Sequence, residues 1–366
     1  MMPVRLSNSI SLRTRARAEL QWLLGEMPYA RPASRLADVD AAKGLAILLV
    51  VIGHVVARER PADNLWYTEL KEAIYLFHMP LFMVLTGITF ALSLPRFAAW
   101  IEVARFSLQR MSRLFVPYVF FGLLVLFGKM LASQWLHVEN APKGLARDLF
   151  SLLVYPAASG APDLRSVAGF LWFIYVLSIY LAFIPALFHL FGRRPLVVLI
   201  VGVALNFAAW PQIFMLDRTI EYLPFFAAGM LMWTGRDLWL RAAPRALWPA
   251  TVFFAALLVM SYWLEMPKWL VGAASVPAVL AWMLYVPAAP KGWLVLLGKA
   301  SLAIYLMNTL VMGLVKGLML KVLPWHGVNF LLYFPVLVLA GVALPILIAR
   351  VVARYFPRAA RYVGAA

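Results

Sequence analysis

The chain has 366 residues, 64% of them hydrophobic and 13% charged, with a mean hydropathy of +0.84, a formal charge of +17 and no cysteine. Soluble domains carry about a quarter charged residues, so this is the composition of a membrane protein, and thiol or disulfide chemistry is excluded. The basic residues lie between apolar runs and form no continuous face, which argues against a nucleic-acid partner and makes membrane topology the reason for the charge.

Residues 1–35 hold Arg5, Arg13, Arg15, Arg17, Arg31 and Arg35 and no apolar run of signal-sequence length. They are expected to be a basic cytoplasmic extension, either an amphipathic helix on the inner leaflet from Ser11 to Leu24 or a tail that only fixes orientation. Ten apolar segments follow, near 41–57, 72–94, 114–133, 168–191, 195–211, 220–235, 247–264, 268–287, 293–315 and 328–352. They predict an all-α polytopic membrane protein, a bundle of about ten transmembrane helices. The membrane domain is expected over 36–355, with a basic cytoplasmic tail at 356–366. Some segments fall short of the roughly 20 residues that cross a bilayer, so tilt or local thinning must help them.

With the N-terminus inside, 22 of the 33 Lys and Arg fall on the inner side and 10 of the 16 acids on the outer, which predicts both termini in the cytoplasm. The longest outer segment, about 134–167, carries Pro142, Pro156, Gly160 and Pro162 and reads as a loop. No soluble catalytic domain is left over. Any chemistry must therefore come from side chains at membrane depth or at loop mouths.

The first apolar segment is the place to look. In DAAKGLAILLVVIGH, from Asp40 to His54, eleven residues separate Lys43 from His54. On a helix that spacing leaves them about 20° apart in azimuth and roughly 16 Å apart along the axis. Asp40, Lys43, Ile47, Val50 and His54 thus form one stripe, which must face a protein interior or a wet cavity and not lipid. The alternative for Asp40 and Lys43 is a helix-start pair at the interface. In the second segment Lys71, Tyr75, His78 and Phe82 share a face, and Pro80 frees the carbonyl of Leu76. Two imidazoles therefore enter the outer half of the bilayer from consecutive helices. A neutral imidazole can take a proton from a sugar hydroxyl, but Asp40 is too far along the same helix to orient His54. His54 needs a partner from another segment, unless it is simply a hydrogen-bonded packing residue.

Arg105, Arg110 and Arg113 are either positive-inside anchors or a phosphate-binding patch at the cytoplasmic mouth. His137, His189 and His326 have no supporting pattern and are expected to be structural or solvated. No HExxH and no close acid–histidine cluster is present, so no metal is expected, and no nucleophile elbow is found. Buried His, Lys and Asp among ten spans would also suit a proton-coupled carrier of a small acid or sugar, although no two-half repeat is detectable.

DAAKGLAILLVVIGH resembles the signature of the acyltransferase-3 group of membrane O-acyltransferases, in which Arg or Lys stands eleven positions before a histidine. The resemblance continues in order through FHMPLFMVLTG (77–87), RMSRLFVPY (110–118), FLWFIYVL (170–177), EYLPFFAAGML (221–231) and LGKASLAIYLMN (297–308), and covers about 36–350. The lysine version is similar to the branch with fucose 4-O-acetylase-like and exopolysaccharide acetyltransferases. The resemblance implies a bacterial inner-membrane enzyme with no permanently bound cofactor. It would move acetyl from cytoplasmic acetyl-CoA to a hydroxyl of a surface or lipid-linked carbohydrate, beside polysaccharide assembly machinery. An exopolysaccharide unit such as a xanthan-type mannose is the preferred acceptor. By position it implies His54 as the essential histidine and general base, Lys43 as its basic partner, and His78 as the histidine of the second helix. Arg113, with Arg105 and Arg110, would hold the donor. Trp172 and Phe173, with Asp40, would line the substrate. Asn308 departs from the pattern, since similar proteins often carry histidine there, and the resemblance gives that position no role.

Overall fold

The structure is a computed structural model, which describes residues 27, 36–56, 61–134, 141–157 and 166–365. The amphipathic segment proposed for Ser11 to Leu24, and His137, lie outside the described residues. Among the described residues there is no strand. The helices are α1 (Ala37–His54), α2 (Leu65–Ser93), α3 (Trp100–Ala132), α4 (Leu145–Val154), α5 (Trp172–Phe191), α6 (Pro195–Leu205), α7 (Leu216–Thr234), α8 (Arg236–Met260), α9 (Lys268–Tyr285), α10 (Ala288–Lys299), α11 (Ser301–Met319) and α12 (Phe330–Tyr355), and a 3₁₀ turn at Pro357–Val363 closes the chain.

Among the described residues seven helices are long and apolar enough to cross a membrane: α2, α3, α5 with the turn before it, α8, α9, α11 and α12 with the turn before it. The other expected spans differ for visible reasons. α1 carries Asp38, Asp40 and Lys43, and α7 carries Asp217, Arg218 and Glu221. α6 stops at Leu205, and the run expected over 293–315 is broken at Ala300 (φ −92°, ψ 4°), so that α10 and α11 are separate helices. The span expected at 114–133 begins as helix at Trp100, and the stretch expected as an outer loop contains α4, an amphipathic helix of 10 residues.

α1 is the centre of the bundle. It packs against α2, α9, α10, α11 and α12, and Val39, Ala41, Ala42, Ala46, Ile47 and Val51 are wholly buried. Small residues allow this crowding. A Cβ on Gly44 would overlap the Leu294 carbonyl of α10, and one on Gly298 would overlap the Asp40 carbonyl of α1, so the two backbones touch. Gly87 of α2 and Gly229 of α7 meet in the same way, and Gly272 of α9 seats against Pro80 of α2. Large apolar side chains such as Phe127 of α3, Trp248 of α8 and Leu339 of α12 are exposed, as lipid-facing residues would be. At the Asp38 end, Arg236 closes the bundle by donating to both carboxylate oxygens of Asp38, at 2.9 and 3.0 Å.

Candidate active site

His54 is the last residue of α1, where a helix leaves carbonyls without intrahelical donors. α2 supplies the donors. Tyr67 donates to the carbonyl of Ile52 (2.8 Å), Tyr75 to Gly53 (3.0 Å) and Lys71 to Val56 (2.6 Å), while Tyr67 Oη also accepts from Val56 N–H (3.1 Å). These three residues are spaced four apart and form one stripe of α2. The shared face expected for Lys71 and Tyr75 is thus a clamp on the end of α1. It holds the backbone on both sides of His54.

α1 and α2 run antiparallel, and the spacing on one is repeated on the other. Lys43 Nζ donates to Thr89 Oγ1 at 3.2 Å, and eleven residues back along α2 stands His78, as His54 stands eleven beyond Lys43. His78 is buried; its Nδ1 lies 2.7 Å from the Ile74 carbonyl and its ring 5.0 Å from that of Tyr75. His54 is half-buried, and its Nδ1 is 3.0 Å from Oδ1 of Asn308 on α11. Asn308 is wholly buried, and Thr309 Oγ1 donates to the same Oδ1 at 3.1 Å. The partner that His54 needs from another segment is therefore Asn308. No pattern in a single sequence links positions 254 apart; the signals for Asn308 are a lone amide in an apolar helix and the departure from the family pattern at that position.

Phe173 sits one turn below this level. Its ring is 5.2 Å from Phe82, four residues after His78, and 5.5 Å from Tyr305, three before Asn308. Both steps lead toward the Lys43 end. Tyr305 Oη accepts from Phe173 N–H (3.2 Å) and donates to the Phe170 carbonyl (2.6 Å), fixing the start of α5 to α11. The adjacent Trp172 faces α7 instead, 5.2 Å from the Tyr222 ring and 5.9 Å from the Arg218 guanidinium. Arg218 is paired with Glu221 at 2.8 Å, and Asp217 lies 4.0 Å away. Phe214 (φ 51°) and Met215 (φ 57°), left-handed and not glycine, immediately precede α7.

Other expected residues fall elsewhere. Asp40 is buried at the α1–α10 crossing, three turns or more from His54, and its Oδ2 has no hydrogen-bond partner among the described residues. Arg105, Arg110 and Arg113 stand on the part of α3 that precedes the expected span; Arg105 and Arg113 are exposed, and the Arg110 guanidinium covers the Phe106 ring at 5.2 Å. Between half-buried Lys43 and half-buried His54 the stripe is closed, because Ile47 is 0% and Val50 1% exposed. His189 packs edge-on against Trp100 at 4.6 Å, and His326 Nδ1 accepts from Ala62 N–H at 3.2 Å. No group of three or more potential metal ligands occurs among the described residues.

The acyltransferase-domain family model matches residues 36–350. Nodulation protein NolL of Sinorhizobium fredii is 29% identical over 197 residues, which is 52% of this chain and 47% of that protein. NolL of Mesorhizobium japonicum is 41% identical over 56 residues, 15% of each chain. The matched segments thus span less than half the length of these relatives. No solved structure matches.

Proposed function

The chain belongs to the acyltransferase-3 family of membrane acyltransferases, and from that premise we propose that it moves an acetyl group from acetyl-CoA to a sugar hydroxyl of an exported carbohydrate. An exopolysaccharide repeat unit, with a mannose-type acceptor, is the preferred substrate. In this reading the chain lies in a bacterial inner membrane with both termini in the cytoplasm, crosses it about ten times and works beside polysaccharide assembly machinery. The excess of Lys and Arg on one side supports that orientation. One observation carries the reading: the histidine that ends α1 is clamped from α2 and held on one ring nitrogen by Asn308, which leaves the other nitrogen for an acceptor hydroxyl.

The step needs no group beyond the two substrates. The acceptor O–H gives its proton to His54 as its oxygen attacks the thioester carbonyl carbon; the C–S bond then breaks, and the CoA thiolate takes the proton back from the imidazolium. Lys43, with Arg105, Arg110 and Arg113, suits the anionic end of the donor. His78 would position the reacting groups, and the Trp172 ring with the Arg218 guanidinium over it, paired to Glu221, suits a sugar ring. Purified protein given labelled acetyl-CoA and a glycan acceptor should lose at least about a hundredfold in transfer rate in His54→Ala. Transfer at the normal rate in that variant, or substrate movement in proteoliposomes without any CoA release, overturns the reading.

A further inference from the structure

Asn308 lies in the interior of α11 with none of its surface exposed. Its amide carries two N–H donors on nitrogen and lone pairs only on oxygen. The nitrogen is committed: Nδ2 donates to the carbonyls of Ile304 and Tyr305, both at 2.8 Å. Carbonyls cannot donate, so turning the amide over would set oxygen against oxygen twice. The amide therefore has one orientation, with Oδ1 toward α1.

That orientation reaches into the imidazole. Oδ1 can only accept, and it lies 3.0 Å from His54 Nδ1. A neutral ring has one N–H and one lone pair, so the proton must sit on Nδ1 and the lone pair on Nε2. Thr309 Oγ1 occupies the remaining side of the same oxygen at 3.1 Å, and at 3.5 Å it is only a distant neighbour of Nδ1. The direction of the chain of bonds is thus set by two backbone carbonyls of α11, through the amide, to the ring.

We propose that Asn308 is the positioning residue of this site: it fixes the tautomer and plane of His54 so that Nε2 is the nitrogen that takes the acceptor's proton. The proposal rests on the acyl-transfer reading for its catalytic consequence but not for its tautomer. It also explains why an amide serves where a carboxylate would be the commoner partner of a catalytic histidine. A carboxylate would face the Ile304 and Tyr305 carbonyls with a second acceptor oxygen and would add a charge inside the membrane domain. An amide holds the ring without either cost.

The test uses the full chain in lipid nanodiscs, labelled with ¹⁵N-histidine. Five histidines give five pairs of ring-nitrogen signals, and His54→Gln identifies the pair of interest. At neutral pH the wild type should show His54 protonated on Nδ1 and bare on Nε2. Asn308→Leu should move the proton wholly or partly to Nε2 and lower kcat for transfer from acetyl-CoA about a hundredfold, with the donor KM within about twofold. Thr309→Val should keep the wild-type tautomer, since Asn308 remains. If Asn308→Leu does not fold, Asn308→Ala, which also removes the acceptor, takes its place with the same expectations for tautomer and kcat. A wild-type ring bare on Nδ1 overturns the proposal, as does full kcat in a folded Asn308 variant. Were no acyl transfer found with any acceptor, the acyltransferase reading would fail while the tautomer in the wild type would still decide the structural half.

Discussion

At the scale of the residue, polar side chains in this bundle are placed by what their partners can donate or accept. The spacing of Lys43 and His54 was legible because a helix repeats, and two polar residues on one apolar stripe stand out. Asp38, whose carboxylate takes both bonds from Arg236, was not, because Arg236 also fits the simple pattern of a positive residue on the inner side. Trp172 was found by resemblance, but Arg218 and Glu221 beside it were not, since half-buried charges at a helix start look like ordinary solvation. If this group receives the acceptor, Trp172→Ala and Glu221→Gln should each raise the acceptor KM about tenfold and leave the acetyl-CoA KM unchanged, in initial rates with the glycan varied. Unchanged acceptor KM in both would remove the group from the site.

At the scale of the element, the sequence predicted helices well and their ends poorly. Apolar runs mark where a helix lies, whereas the break at Ala300 and the early start of α3 at Trp100 depend on neighbours and leave no compositional mark. The clamp of Tyr67, Lys71 and Tyr75 on α1 was half legible: the stripe is periodic, but its target is not. The backbone contact between α1 and α10 makes a sharper prediction. Gly44→Ala must push α10 away and should destabilise the protein by about 1–3 kcal/mol in a thermal or denaturant unfolding assay in detergent. Gly313→Ala in α11, where a Cβ would meet nothing within 4 Å, should be neutral or slightly stabilising. Equal effects of the two would show that the crossing is not close-packed.

At the scale of the whole molecule, the all-helical architecture followed from composition, while the number of crossings did not. The apolar runs expected as spans at 41–57 and 220–235 form α1 and α7, which carry three charges each, and the run at 195–211 forms only the 11-residue α6. Apolar character alone thus gives more spans than the helices that are also long and uncharged enough. Orientation can be tested cleanly, because the chain has no cysteine of its own. In inverted and right-side-out vesicles, single cysteines at Arg105 and Arg361 should react with an impermeant maleimide only from the cytoplasmic side, and one at Glu265 only from the outside. Labelling of Arg105 and Glu265 from one side would reverse the proposed topology.

The packed layer at Ile47 and Val50 has an electrical consequence. Polar groups occupy both ends of α1, yet two wholly buried aliphatic side chains separate them, and no file of water can form along that stripe. Under the proposed reading, in which donor and acceptor come from opposite sides of the membrane, the bundle thereby remains an insulator at rest. Vesicles carrying it should hold a potassium diffusion potential as long as empty ones do. Val50→Ser, which offers water a foothold in the layer, should shorten that time, and an equally tight seal in the variant would show that the layer does not carry the insulation.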